Sequence, residues 1–122
     1  MSTSFQFQSN NLNLKELPHN IEAEQGILGA ILLNNEIYYD ISEIITIEHF
    51  FEPVHKIIFD VIAKTISKGQ IATPITLKSF FEVENNLEEI GGSKYLLRLA
   101  NSAVSLDYAR NYAEIIYNLA IR

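Results

Sequence analysis

Apolar residues recur at the spacing of an α-helix along almost the whole chain from residue 20 onward, and this period limits the fold more than any other feature. The clearest run is Val54, Ile57, Ile58, Val61, Ile62 and Ile66, bracketed by Pro53 and Gly69. Pro suits a first helical position, Gly69 suits the C′ position, and Lys64 and Lys68 fall in the last turns, where positive charge meets the negative end of the helix dipole. Isoleucine is a good strand former, so stretches such as Ile41 to Ile47 have to be weighed as strands. Alternation fails there, because side chains at a 3.6-residue period cannot all face one side of a pleated strand.

Six helices follow from the same period. Asn20 can cap the first, with Glu22 and Glu24 in its opening turn and a stripe of Ile21, Leu28, Ile31 and Leu32. Gly26 and Gly29 each cost about 1 kcal/mol relative to Ala in a helix, so they predict that another backbone passes close by. Asn34 and Asn35 break the pattern, and Ile37, Ile41, Ile44 and Ile45 predict a short second helix before the third described above. Thr73-Pro74 opens a fourth, with Leu77, Phe80 and Phe81 on one side and Asn85-Asn86 at its end. Gly91-Gly92 opens a fifth carrying Tyr95, Leu96 and Leu99. After a polar break at 101–105 the sixth shows Tyr108, Tyr112, Ile115, Ile116 and Leu119 along one side, with Ala109, Ala113 and Ala120 nearby. So short a connection predicts that the last two helices form a hairpin.

With 122 residues and 48% apolar content, the chain can bury a core without disulfides or structural metal, and it has no cysteine. That removes thiolate metal sites and thiol catalysis, and points weakly to the cytoplasm. Nine basic residues against 15 acidic give −6, the wrong sign for gripping phosphates over a broad face. The longest apolar run, Ile27 to Leu33, falls far short of a membrane span of about 18 residues. Residues 1–16 read as a flexible tail without a secretory signal, although Phe5 and Phe7 could dock on something.

Chemical motifs are scarce. Gly91-Gly92-Ser93-Lys94 lacks the first glycine of a phosphate-binding loop and follows no strand, so it reads as a turn into a helix. Glu-x-x-His occurs at Glu16 to His19 and Glu52 to His55, the ligand spacing of a di-iron bundle, but Pro18 and Pro53 put both before or at helix starts rather than in mid-helix. His49 and His55 have no recognisable nucleophile and acid beside them, and His55 reads as packed at the start of the third helix. Glu82, Glu84, Glu88 and Glu89 read as a solvated acidic edge. No catalytic, cofactor-binding or metal residue is assigned.

The string Leu17-Pro18-His19-Asn20-Ile21-Glu22-Ala23-Glu24-Gln25, followed by Leu28-Gly29, resembles the opening of the N-terminal domain of DnaB-type replicative DNA helicases. Further landmarks follow in order: Phe50, His55-x-x-Ile58-Phe59, Gly69, Ile75-Thr76-Leu77, Ile90-Gly91-Gly92-x-x-Tyr95-Leu96 and Tyr112-Ala113-x-Ile115. The likeness covers about residues 17–122; Thr73 stands where that family commonly has Asp. The resemblance implies an all-α domain with a compact head, about 17–90, and a protruding C-terminal hairpin, about 91–122. It further implies a role in assembling a hexameric ring and docking primase, with a helicase loader as a possible further partner and DNA met only through the full ring. The ATPase domain of such helicases, which uses ATP and magnesium, is absent from these residues, so the chain itself is expected to be no enzyme.

The sixth-helix residues Tyr108, Tyr112, Ile115, Ile116 and Leu119 are the candidate self-association surface, since a terminal hairpin has little head left to cover them. Glu22 and Tyr95 lie within the family-like strings yet are not required by the apolar stripes, and are the candidates for receiving primase. Two alternatives stay open: a free-standing helical adaptor or regulator, and a small metal enzyme using the histidines and nearby glutamates.

Overall fold

The computed structural model describes residues 19–122; the tail, Phe5, Phe7 and the Leu17-Pro18 pair lie outside the described residues. Six α-helices are present and no strand occurs among the described residues: α1 Ile21–Leu33, α2 Glu36–Ile41, α3 Pro53–Ser67, α4 Pro74–Val83, α5 Gly92–Asn101 and α6 Leu106–Ala120. Two short 3-10 turns, Ile47–His49 and Glu88–Ile90, lie before α3 and before α5.

The boundaries follow local chemistry. The Asn20 side chain accepts a hydrogen bond from the Ala23 N–H at 2.9 Å, capping α1. Thr73 caps α4 in the same way through the Thr76 N–H at 3.1 Å, with Pro74 at the first position. At the end of α3, Gly69 is left-handed with φ 78°, and the Gln70 N–H reaches back to the Thr65 carbonyl while the Gly69 N–H reaches that of Ile66. That is a Schellman closure. Asn85, φ 63°, ends α4 likewise, with the Asn86 N–H on the Phe81 carbonyl. Helix α2 is shorter than its isoleucines predict: the chain turns at Ser42, and Ile45 enters the core from the turn rather than from a helix.

Helix α1 is the centre of the molecule. Every residue from Ala23 to Leu32 except Gln25 is buried, and α3, α5 and α6 all pack on it. The two glycines make this possible. A Cβ on Gly29 would overlap the Leu99 carbonyl oxygen of α5, and one on Gly26 would lie 2.8 Å from Val104 Cγ1. The backbone between α5 and α6 thus runs directly across α1, and the Val104 N–H bonds the Gly26 carbonyl at 3.2 Å.

Helices α5 and α6 follow one another across residues 102–105, forming the C-terminal helical pair. Their packing differs from that of a projecting arm: α5 lies on α1 and α4, and α6 on α1 and α2. Leu96, Leu99, Ala109, Ala113 and Ile116 therefore join the same core as Ile27, Leu28 and Ile31. The cause is close approach, because the glycine notch in α1 draws the connection inward and leaves each helix more of α1 than of its partner to bury.

Candidate functional site

The most unusual chemistry in the molecule is a buried polar chain that joins α1, α3 and α5. Glu24 and His55 are almost wholly shielded from water. One carboxylate oxygen of Glu24 accepts the Phe51 N–H at 2.7 Å; the other lies 2.7 Å from His55 Nδ1 and accepts the Glu52 N–H at 3.4 Å. On the far side of the ring, His55 Nε2 is 2.6 Å from the Tyr95 hydroxyl, which accepts a hydrogen bond from Gln25 Nε2 at 3.1 Å. The His55 and Tyr95 rings stack at 5.9 Å with planes 9° apart.

The proton positions follow from who can donate. An ionised carboxylate only accepts, so Nδ1 carries the hydrogen towards Glu24; in a neutral imidazole Nε2 then accepts from the Tyr95 O–H. Burial, the largest cause, raises the Tyr95 pKa; Glu52 and Glu24 add to this, opposed by the hydrogen bond from Gln25 and by Arg98. Tyr95 is thereby kept as a neutral donor. A carboxylate, an imidazole and a hydroxyl in line form a relay in outline, but the hydroxyl is held as an acid too weak to be a nucleophile at neutral pH. What the chain does is pin three helices at fixed register, because a buried polar group left without its partner is costly.

Glu24 is thus more than a first-turn acid facing the helix dipole: it lies inside, ligating the N–H groups that open α3. Composition and periodicity gave no sign of this, since a buried carboxylate sits at no apolar position. The signal was in the strings that carry the family resemblance, for Glu24-Gln25, His55 and Tyr95 come from three of them and meet here.

Of the residues singled out from sequence, Glu22 is exposed on α1, and Tyr95 is half-buried with its hydroxyl committed to His55 and Gln25. The sixth-helix set does not share one exposure. Tyr108 and Ile115 are exposed, Tyr112 and Leu119 are half-buried, and Ile116, 3% exposed, faces the core. Leu106, Tyr117 and Ile121 are exposed on the same helix and its end, although the stripe did not include them.

His19 stacks on Phe51 with centroids 3.8 Å apart, and His49 Nδ1 accepts the Thr46 N–H at 2.9 Å. Both line a cleft of about 230 Å³ between the start of α1 and the end of α6, together with Lys56, Leu119 and Arg122. No grouping of His, Asp and Glu suited to a metal ion occurs among the described residues, and no helix among them is long and apolar enough to cross a membrane.

The family model of the DnaB-like helicase N-terminal domain matches residues 16–118. The chain belongs to this family. It is 47% identical to the replicative DNA helicase DnaB of Rickettsia typhi over 113 residues, which cover 92% of this chain and 23% of that protein. It is 39% identical over 103 residues to the DnaB of Buchnera aphidicola, covering 84% of this chain and 22% of the relative. The crystal structure of the N-terminal domain of DnaB helicase from Mycobacterium tuberculosis superposes with a TM-score of 0.82 at 28% identity, over 87% of this chain and 77% of that one. The chain therefore spans less than a quarter of the length of these DnaB relatives. In this DnaB N-terminal domain, the buried chain from Glu24 to Tyr95 is the physical content of strings that otherwise look like separate landmarks.

Proposed function

We propose that this DnaB N-terminal domain serves as the assembly and partner-docking module of a replicative helicase in the cytoplasm, supporting a hexameric ring and receiving primase. The observation that carries the reading is the membership of the family, joined to apolar surface that the core leaves uncovered on α6. Tyr108 and Ile115, two turns apart, lie on one flank of the helix, and Ile115 is 40% exposed. Tyrosine and isoleucine together suit an interface core, the ring offering a large apolar body with a polar tip. Glu22 and Tyr95 are the proposed contacts for primase, Glu22 by a charged side chain and Tyr95 by the part of its ring left outside the core. A helicase loader is a further partner that this reading admits.

ATP turnover belongs, in this reading, to a motor domain that binds ATP and magnesium, because nothing in these residues can cradle a triphosphate. Single-stranded DNA is expected to bind weakly or not at all at physiological salt, since a charge of −6 releases few counterions. Sedimentation across a concentration series tests assembly, and titration with purified primase tests docking. A domain that stays monomeric at high concentration, or a Glu22→Ala/Tyr95→Ala pair that folds and binds primase as the parent does, counts against the corresponding half.

A further inference from the structure

The 3-10 turn Ile47–His49 is closed by an arrangement that ordinarily uses another residue type. In a capping box, Ser or Thr at the cap is followed three positions later by Glu or Gln, whose side-chain oxygen accepts the N–H of the cap residue. Here the cap is Thr46 and the third position is His49, so the acceptor is a ring nitrogen: the Thr46 N–H donates to His49 Nδ1 at 2.9 Å. A backbone N–H only donates, so Nδ1 carries no hydrogen and the ring hydrogen sits on Nε2. His55 is the opposite tautomer, with its hydrogen on Nδ1 towards Glu24. A Gln oxygen in the box would accept at any pH, whereas an imidazole accepts only while it is neutral.

The chain on either side of the turn is fastened by other means. Ile45 and Phe50 are buried, the Phe51 and Glu52 N–H groups end on Glu24, and the Lys56 ammonium donates to the Glu48 carbonyl at 3.2 Å. Between these anchors the half-buried His49 ring stands edge-on to Tyr117, with centroids 5.0 Å apart, where the turn packs on α3 and α6. The groups around the ring act on its charge in both directions. Glu48, Glu24 and the Tyr117 ring favour a second proton; Lys56 of α3, Arg122 after α6 and His19, when charged, oppose it. The Nδ1 contact acts in one direction only, because a second proton there sets N–H against N–H.

We propose that His49 makes this turn an acid-sensitive clasp. Neutral, the ring closes the turn against α6; protonated, it lets go of Thr46 and frees the part of the cleft wall that it forms. The clasp is therefore closed above the pH range in which the ring titrates and released below it. Release is confined to residues 46–49 and the contact with Tyr117, since Ile45, Phe50 and Lys56 keep their own anchors. The inference does not rest on the assembly reading.

The test follows the isotopically labelled domain by nuclear magnetic resonance from about pH 8 to about pH 5, the span in which histidines change charge. At the alkaline end His49 should be the Nε2–H tautomer. On acidification the Thr46 amide and the Tyr117 ring should shift together with the His49 ring. Protection of the Thr46 amide from hydrogen exchange, relative to its intrinsic rate at each pH, should fall by up to about tenfold, the loss of one hydrogen bond. His49→Gln supplies the ordinary capping-box acceptor and should keep Thr46 protected across the whole range. His49→Ala should leave Thr46 as exposed at the alkaline end as it is in the acidified parent; should that variant fail to fold, the Gln variant and the parent titration decide. An Nδ1–H tautomer at the alkaline end, or a Thr46 amide that does not follow the His49 ring, overturns the proposal. So does an unchanged acid response in His49→Gln, which would assign the response to His19, His55 or the carboxylates.

Discussion

Glu24 holds two backbone N–H groups and an imidazole in a place that water does not reach. Replacing it by Ala strands all three, and each buried donor left without its acceptor costs about 1–3 kcal/mol, so Glu24→Ala should be severely destabilised in urea melts. Tyr95→Phe is the milder probe. It removes one hydroxyl from between His55 and Gln25, and about 1–3 kcal/mol is expected from the unpaired imidazole nitrogen. The same hydroxyl gives a pH signature. Burial raises the Tyr95 pKa from its ordinary 10.0, so its contribution to stability is present in full below about pH 10 and is lost as pH rises through the higher folded value. Thermal midpoints of the parent and of Tyr95→Phe should therefore converge in alkaline buffer. A gap that stays constant or widens there would show that the hydroxyl does not titrate as a buried group. Tyr38, whose pKa burial also raises, leaves a residual alkaline slope in both proteins.

At the scale of elements, two glycines make opposite demands. Gly29 has ordinary helical backbone but no room, since any Cβ meets the Leu99 carbonyl. The obstacle is main chain and cannot rotate away, so Gly29→Ala should cost more than about 4 kcal/mol or prevent folding. Gly69 has room but an unusual backbone: nothing lies within 4 Å of the place a Cβ would take, while φ is 78°. Gly69→Ala should cost about 1 kcal/mol, the strain of one left-handed residue. Circular dichroism followed during urea unfolding separates the two, and similar costs would mean that α5 can slide away from α1. Asn35 shows a third kind of constraint, its amide pairing with both backbone groups of Ala72 at 2.8 and 2.9 Å and so tying the approach to α4 onto the end of α1.

For the molecule as a whole, the decisive fact is that α5 and α6 are built into the core around α1. A charge at Ile116 therefore tests folding before it tests association: Ile116→Glu buries a carboxylate with no partner and is expected to unfold the domain. Ile115→Glu, one residue along and exposed, should fold like the parent and shift sedimentation towards monomer if α6 is the self-association surface. A folded Ile115→Glu that self-associates as the parent does would move that surface elsewhere. The TM-score of 0.82 to the mycobacterial domain at 28% identity indicates that this packing tolerates extensive change of side chains. What has to persist is a helix slim enough at its glycines to be crossed.

Sequence alone was sufficient for the six helices and most of their ends, the early stop of α2 at Ile41 excepted. Apolar period, Pro at first helical positions, Asn20, Thr73, Gly69 and Asn85-Asn86 at the caps act through neighbours a few residues away, and such local rules can be read in one dimension. The family was legible too, from strings whose letters have no local reason to occur. Gly26 and Gly29 announced a close crossing, but which backbone crosses was decided by the fold, as was the burial of Ile116 in place of Ile115 on the same stripe. Glu24, His55 and Tyr95 lie 31 and 40 residues apart along the chain, and only the packing of α1, α3 and α5 brings their polar atoms to within 2.7 Å. A buried hydrogen-bond chain has no sequence period, because its partners are chosen by where three helices meet and not by the turn of any one of them.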